Sequence, residues 1–319
     1  MKYHVLYRGD LSSCNYACGY CPFAKRAETH AQLENDRQGL ERFLSWIAAQ
    51  RHCRFGILFT PWGEALIRRW YQQALITLTH QAHVERAAIQ TNLSCGLDWV
   101  HECRRDRLAL WATFHPTEAS LDHFVAKVHY LHAAQVRLSV GMVGLHEHFD
   151  AIASLRRQIP PDVYLWINAY KRTPDYYTHE QIGWLTDVDP LFPVNVQQHA
   201  SLGEPCGAGE NSFAVDGSGR MRRCHFVGMP IGSIHAPDWE AALRPRACPN
   251  ATCGCHIGYV HLKRLRQDAI YGPGLLERIP EKVPGAFSAA SGKATLRLQG
   301  IEEPTRNGAA SHAMPCAQE

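Results

Sequence analysis

Two spacings of apolar residues alternate along the first two thirds of the chain. Short runs of apolar, β-branched or aromatic residues, Tyr3 to Tyr7, Phe55 to Phe59, Ala87 to Thr91, Leu108 to Phe114, Val136 to Val143 and Val163 to Ala169, read as six strands. Between them the apolar positions recur three and four apart. Leu40, Phe43, Leu44 and Ile47 make one such face, and Leu121, Phe124, Val125, Val128 and Leu131 another. Strands alternating with helices of this length predict a parallel sheet with helical crossovers, an α/β fold. Six units suit either an open doubly wound sheet or a partial barrel, and the pattern alone does not separate them.

From about Pro193 glycine and proline become more frequent. A hairpin is expected at Ser212 to Val215 and Arg220 to Phe226, turning through Asp216-Gly217-Ser218-Gly219. It opens a small cysteine-bearing α+β module. After Gly272 the periodicity fades into Ala, Gly, Ser, Pro and charge. The expected organisation is 1–195 as the strand-helix domain, 196–272 as the module and 273–319 as a poorly ordered tail. No chemistry attaches to Cys316 within it.

Composition narrows the function classes. The 319 residues are 45% hydrophobic and 20% charged, and a net charge of +3 is too small to point to nucleic acid. No apolar run approaches the roughly eighteen residues of a membrane span, and Lys2, His4 and Arg8 interrupt the start where a signal core would lie. A cytoplasmic protein with neither nucleic-acid nor membrane partners is expected. Twelve cysteines are many for a reducing compartment, where such clusters serve metals or catalysis.

Directly after the first strand stands Cys14-Asn15-Tyr16-Ala17-Cys18-Gly19-Tyr20-Cys21, a C-x3-C-x2-C loop. At a cysteine frequency of about 0.04, this spacing arises from any of the twelve starts roughly 0.02 times by chance. Zinc wants four closed ligands and a thioredoxin-like site wants C-x-x-C at a helix start, so neither accounts for the first cysteine. Three thiolates on a 4Fe-4S cluster leave one iron open to a chelating ligand.

The loop resembles that of the radical S-adenosylmethionine (SAM) superfamily, C-x3-C-x-aromatic-C after the first strand, matched by Cys14, Cys18, Tyr20 and Cys21. The resemblance implies a partial (β/α)6 TIM-type barrel and a 4Fe-4S cluster whose open iron binds SAM. It implies reductive cleavage to a 5′-deoxyadenosyl radical that removes a hydrogen atom from substrate. Thr60-Pro61-Trp62-Gly63-Glu64 looks like the family's Gly-Gly-Glu segment for the SAM amino group, with Trp62 where the first glycine usually stands. By the same resemblance Tyr20, Gly63, Glu64, Thr113 and Asn168 are candidate SAM contacts, with Asn92 and Lys171 weaker ones. As bare residues, Thr113 and Asn92 equally suit turns or caps. His146 and His148 flank Glu147 in a loop after the fifth strand and read first as ordinary surface or core histidines. Cys53, Cys95 and Cys103 read as buried small hydrophobes.

The module concentrates Cys206, Cys224, Cys248, Cys253 and Cys255. Cys224 follows Gly219 at G-x4-C spacing on the return strand of the hairpin, and Cys248 to Cys255 form a second loop. The arrangement is similar to the SPASM and twitch extensions of radical SAM enzymes, which hold auxiliary clusters. Five cysteines are too few for two fully ligated clusters, so one auxiliary 4Fe-4S cluster is expected on Cys206, Cys224, Cys253 and Cys255, with Cys248 the substitute. A structural zinc site is the alternative for this module.

Family analogy makes a peptide or protein side chain the leading substrate class, with a small sugar or cofactor precursor the alternative, and an electron donor such as flavodoxin or ferredoxin the partner. A non-catalytic Fe-S or zinc protein for binding or electron transfer is the reading from another class.

Overall fold

The computed structural model describes residues 1–23 and 27–282, apart from the side chains of residues 273 and 274. The expected tail from residue 283 onward, with Cys316, lies outside the described residues.

The six expected strands are present as β1 (Lys2–Arg8), β2 (Arg54–Phe59), β3 (Val84–Thr91), β4 (Leu108–Thr113), β5 (Arg137–Val143) and β6 (Tyr164–Asn168). Helices α1 (His30–Ala49), α2 (Arg69–His80), α3 (Leu121–Ala133), α4 (Phe149–Gln158) and α5 (His179–Val188) intervene or follow. Polar caps set their starts. Thr29 and Gln32 close a reciprocal capping box on α1, Thr178 and Gln181 repeat it on α5, and Ser120 caps α3.

All six strands pair in parallel and in chain order. A doubly wound sheet reverses its order at a switch point, so double winding is ruled out. Alternation along the strands sends Val5, Ile57, Ile89, Leu110, Val140 and Leu165 to one face, where they pack with Phe43, Leu75, Phe124, Leu155 and Leu185 of the helices. Leu6, Leu58, Ala88, Ala109, Trp111 and Trp166 point to the second face. With the crossovers all on the first face, that second face needs a cover of its own.

The rest of the chain supplies it. After a short helix α6 (Phe192–Asn195) come β7 (His199–Ala200), β8 (Pro205–Cys206), β9 (Ser212–Asp216), β10 (Arg220–Arg222), β11 (Pro230–Ser233), β12 (Arg246–Ala247), β13 (Thr252–Cys253) and helix α7 (His256–Tyr259). The expected hairpin is β9 and β10, with Met221 opposite Val215. Gly219 turns it at φ 82°, and Asp216 Oδ1 accepts from the amides of Ser218 and Arg220. β9 also pairs in parallel with β1, His4 opposite Ser212 and Arg8 opposite Asp216, so the expected module shares the main sheet. The order across the nine strands is β11-β10-β9-β1-β2-β3-β4-β5-β6.

Ile257, Val260, Tyr271 and Leu276 lie on the second face. Leu276, Glu277 and Arg278, in the stretch assigned to the tail by composition, are therefore part of the packed structure. Buried Glu277 takes Arg137 at 2.8 Å and Arg86 at 3.4 Å, and its carbonyl accepts from Ser139 Oγ at 2.6 Å. Arg278, also buried, lays its guanidinium 4.5 Å from the Trp166 ring and 5.6 Å from that of Trp111.

Candidate cluster and cofactor site

The carboxyl ends of β1 to β6 gather every candidate SAM contact, as parallel α/β sheets place their ligand sites. The loop leaving β1 is held by two carboxylates. Asp36, fully buried on α1, accepts from Leu11 N at 2.9 Å, Trp70 Nε1 at 2.9 Å and Tyr71 Oη at 3.0 Å. Glu28 accepts from the amides of Ser12 and Ser13. Gly9 makes the approach to Asp36 possible, since a Cβ there would sit 2.5 Å from Asp36 Oδ1.

The loop then presents three free thiols, Cys18 buried, Cys14 and Cys21 half-buried. Amides already point at two sulfurs: Tyr16 N at 3.4 Å from Cys14 Sγ and Phe23 N at 3.5 Å from Cys21 Sγ. Asn92 Nδ2 lies 4.0 Å from Cys14 Sγ. N–H groups converging on thiolates are how proteins tune an iron-sulfur cluster, so the donor set fits one.

Around Cys18 stand residues that spacing alone did not single out. His115 Nδ1 is 3.3 Å from Cys18 Sγ and 2.9 Å from Tyr20 Oη, and the two rings stack at 5.9 Å and 8°. Burial, with the nearby His148, pushes the His115 imidazole down to about 4, so it is neutral near pH 7. The Tyr20 ring also meets His148 edge-on at 5.2 Å. His148 is buried, its Nδ1 3.1 Å from Val143 O and its Nε2 without a hydrogen-bond partner. His146 instead faces outward and stacks on Tyr176 at 4.0 Å.

Glu64 is buried and its carboxylate is fully engaged. It accepts from Leu66 N at 3.0 Å, Thr91 Oγ1 at 2.8 Å and Asn92 N, tying the loop after β2 to the end of β3. Burial raises its carboxyl to about 7 against those three bonds. Leu93, at φ 55°, turns the chain past Asn92, and Lys127 Nζ holds its carbonyl at 2.6 Å. Trp62, the departure from the family pattern, carries the Arg8 guanidinium 4.1 Å from its ring. Gly63 lies half-buried beside it. Thr113 and Asn168 reach their strand ends, but among the described residues neither side chain makes a hydrogen bond. Lys171 donates to Gly254 O and to Gln197 O, so it braces the second cysteine loop.

In that second site the short ladders do the positioning. Arg246 pairs with Cys206 across β12 and β8, and Cys253 with His199 across β13 and β7. Buried Arg223 donates to the carbonyls of Ala208, Arg246 and Ala247, joining the segments that carry Cys206, Cys224 and Cys248. Cys206 and Cys248 are buried with Ala208, Tyr259 and Leu262, and Cys224 and Cys253 pack against that cluster. Burial pushes the Cys253 thiol up to about 12, with Cys224, Cys255, Cys248 and Cys206 adding to it. Cys255 lies outside the apolar cluster. It precedes α7 with its residue surface open, yet the surrounding protein desolvates its thiol and pushes it up, against the Ile257 amide and the charges of Lys171, Arg8 and Arg278. Cys206, Cys224, Cys248 and Cys253 thus share one apolar cluster, and Cys255 adjoins it at Cys253.

Cys53, Cys95 and Cys103 are buried, as expected. Cys53 also meets His52 and Glu240, and among the described residues this is the one group of three such donors with all ligand atoms within 4.8 Å. Glu240 there already accepts from Tyr3 Oη at 2.7 Å. Among the described residues no helix is long and apolar enough to cross a membrane.

No protein-family model matches the chain, and no curated protein matches it. Solved structures do. The structure of native anSMEcpe with bound AdoMet and Kp18Cys peptide aligns over 73% of this chain and 78% of its own at 12% identity, with a TM-score of 0.50. Native anSMEcpe with bound AdoMet aligns over 72% and 78% at 14% identity and 0.47. BtrN in complex with AdoMet and 2-DOIA aligns over 76% and 87% at 14% identity and 0.39. At such identities the likeness is one of fold, a mixed α/β architecture on a large parallel sheet.

Proposed function

We propose that this chain is a radical SAM enzyme built on a partial (β/α)6 barrel. Cys14, Cys18 and Cys21 would hold the SAM-binding 4Fe-4S cluster. Cys206, Cys224, Cys248 and Cys253 would hold one auxiliary cluster. The observation that carries the reading is the loop of three free thiols at the carboxyl end of β1, with amides aimed at its sulfurs and Asn92 beside Cys14. When bound, the cluster and SAM supply the one-electron chemistry that generates a hydrogen-abstracting radical.

The chain's own residues provide the setting. Asp36 and Glu28 fix the loop, Glu64 locks the segment after β2 against Asn92, and Tyr20 with His115 walls the site beside Cys18. The second face, sealed by Tyr271, Leu276 and Arg278, keeps bulk water from the floor. A structural zinc site is the alternative for the module, and iron, sulfide and zinc analysis of the reconstituted protein separates the two. Resemblance supports a peptide or protein side chain as substrate class and a flavodoxin or ferredoxin as electron donor.

The test is anaerobic reconstitution with iron and sulfide, then dithionite and SAM, with chromatography for 5′-deoxyadenosine. Wild type is expected to form it. The Cys14→Ala/Cys18→Ala/Cys21→Ala variant is expected to form none while keeping about four irons. A wild type that carries its clusters and leaves SAM intact sinks the reading in favour of a binding or electron-transfer protein.

A further inference from the structure

Arg8 is the last residue of β1 and shares a strand face with Leu6, which is buried on the second face of the sheet. Its side chain therefore enters the space enclosed between the strand ends and the cysteine-bearing segments. Two contacts hold it there. Nε donates to Thr60 O at 2.8 Å, and the guanidinium carbon lies 4.1 Å from the centroid of the Trp62 ring. Trp62 is steadied in turn by Phe23, edge-on at 4.9 Å. Together these fix the plane of the guanidinium and use its Nε edge.

Neither contact neutralises the charge. Among the described residues no carboxylate pairs with Arg8, and the one ionisable group whose field supports it is the Cys255 thiol. Several other half-buried or buried arginines are matched: Arg86 and Arg137 by Glu277, Arg222 by Asp216, Arg223 by three carbonyls. Burial alone lowers Arg8 to about 10, so it remains a cation near pH 7. A cation taken out of water without a counter-charge is costly, and its two Nη nitrogens form the fork that fits a carboxylate or phosphate.

From the segment after β2 its surroundings also reach the second cysteine site. Thr60, whose carbonyl takes Arg8, bonds through Oγ1 to His225 Nε2 at 2.8 Å, next to Cys224 of the second cysteine site. Cys14, Asn92, Thr91 and Glu64 form a separate network at the end of β3. Arg8 thus stands between the two cysteine sites.

We infer that Arg8, oriented by Trp62, binds an anionic group of the substrate, a carboxylate or phosphate, in two-pronged fashion. This rests on the radical SAM reading of the site and adds the substrate's charge to it. The indole at position 62 is then a platform for Arg8 in a segment whose backbone otherwise serves SAM.

The experiment uses the cluster-reconstituted full chain under argon, comparing wild type, Arg8→Gln and Arg8→Lys by calorimetry. One arm titrates inorganic phosphate and acetate as probes, and the other titrates SAM. Wild type is expected to bind at least one probe, Arg8→Gln to weaken it roughly tenfold or more and Arg8→Lys to recover part of it, with SAM affinity within about twofold throughout. A parallel loss of SAM affinity would show that Arg8 serves the SAM carboxylate and overturn the inference. Probe binding absent from wild type, or unchanged in Arg8→Gln, overturns it as well. If wild type binds a probe through Arg8 but does not bind SAM, the anion site stands and the radical SAM reading fails.

Discussion

Single residues decide whether the loop after β1 can present its thiols. Glu64 does this from inside the protein, where its carboxylate has three donors and a pKa near 7 instead of 4.5. An acid raised in the folded state takes up a proton on folding between those values, so this group's contribution to stability falls as pH rises from 4.5 to about 7. The span corresponds to about 3 kcal/mol at most. We expect anaerobic denaturant unfolding across that window to show wild type losing stability relative to Glu64→Gln, and parallel pH profiles would remove Glu64 as the titrating group. Arg8, His115 and Trp62 were not readable as a set. Each has an ordinary local context, and only contacts across strand ends give them a common role.

At the scale of elements, the six strands and the hairpin were legible because apolar spacing reports which face of an element is buried. The cysteine loop was legible because its ligands are close in sequence. The second cysteine set was half legible. Spacing gathers five thiols into one module but says nothing of which of them share a buried setting, and Cys255, at the start of α7, lies outside the apolar cluster that holds the other four. Cys248→Ser is accordingly expected to lose about four irons from the reconstituted protein, whereas Cys255→Ser keeps them. Iron and sulfide analysis of the two variants, read with the electron paramagnetic resonance of the reduced clusters, checks this. The reverse result would restore Cys255 to the ligand set.

For the whole molecule, one chain closes both faces of one sheet. Helices cover the first, and the segment through Arg278 covers the second, with the buried guanidinium held by Trp166, Trp111 and the field of Asp189. Removing that cation leaves Asp189, itself fully buried, without its counter-charge. Arg278→Ala should cost about 3–5 kcal/mol and loosen the floor of the site, visible as a lower midpoint in denaturant and faster amide exchange in β4 and β6. A change below about 0.5 kcal/mol would show the plug to be peripheral.

Local pattern thus determined the strand-helix repeat, its parallel sheet and the three-thiol loop, because periodicity and ligand spacing are properties of neighbouring residues. Strand order, the parallel docking of β9 on β1, the burial of residues 276–278 and the meeting of Arg8 with Trp62 were decided only in the tertiary structure. These pairings join residues far apart in the chain. Their partners are selected by which surfaces remain uncovered once the local elements have formed, and no local pattern encodes that.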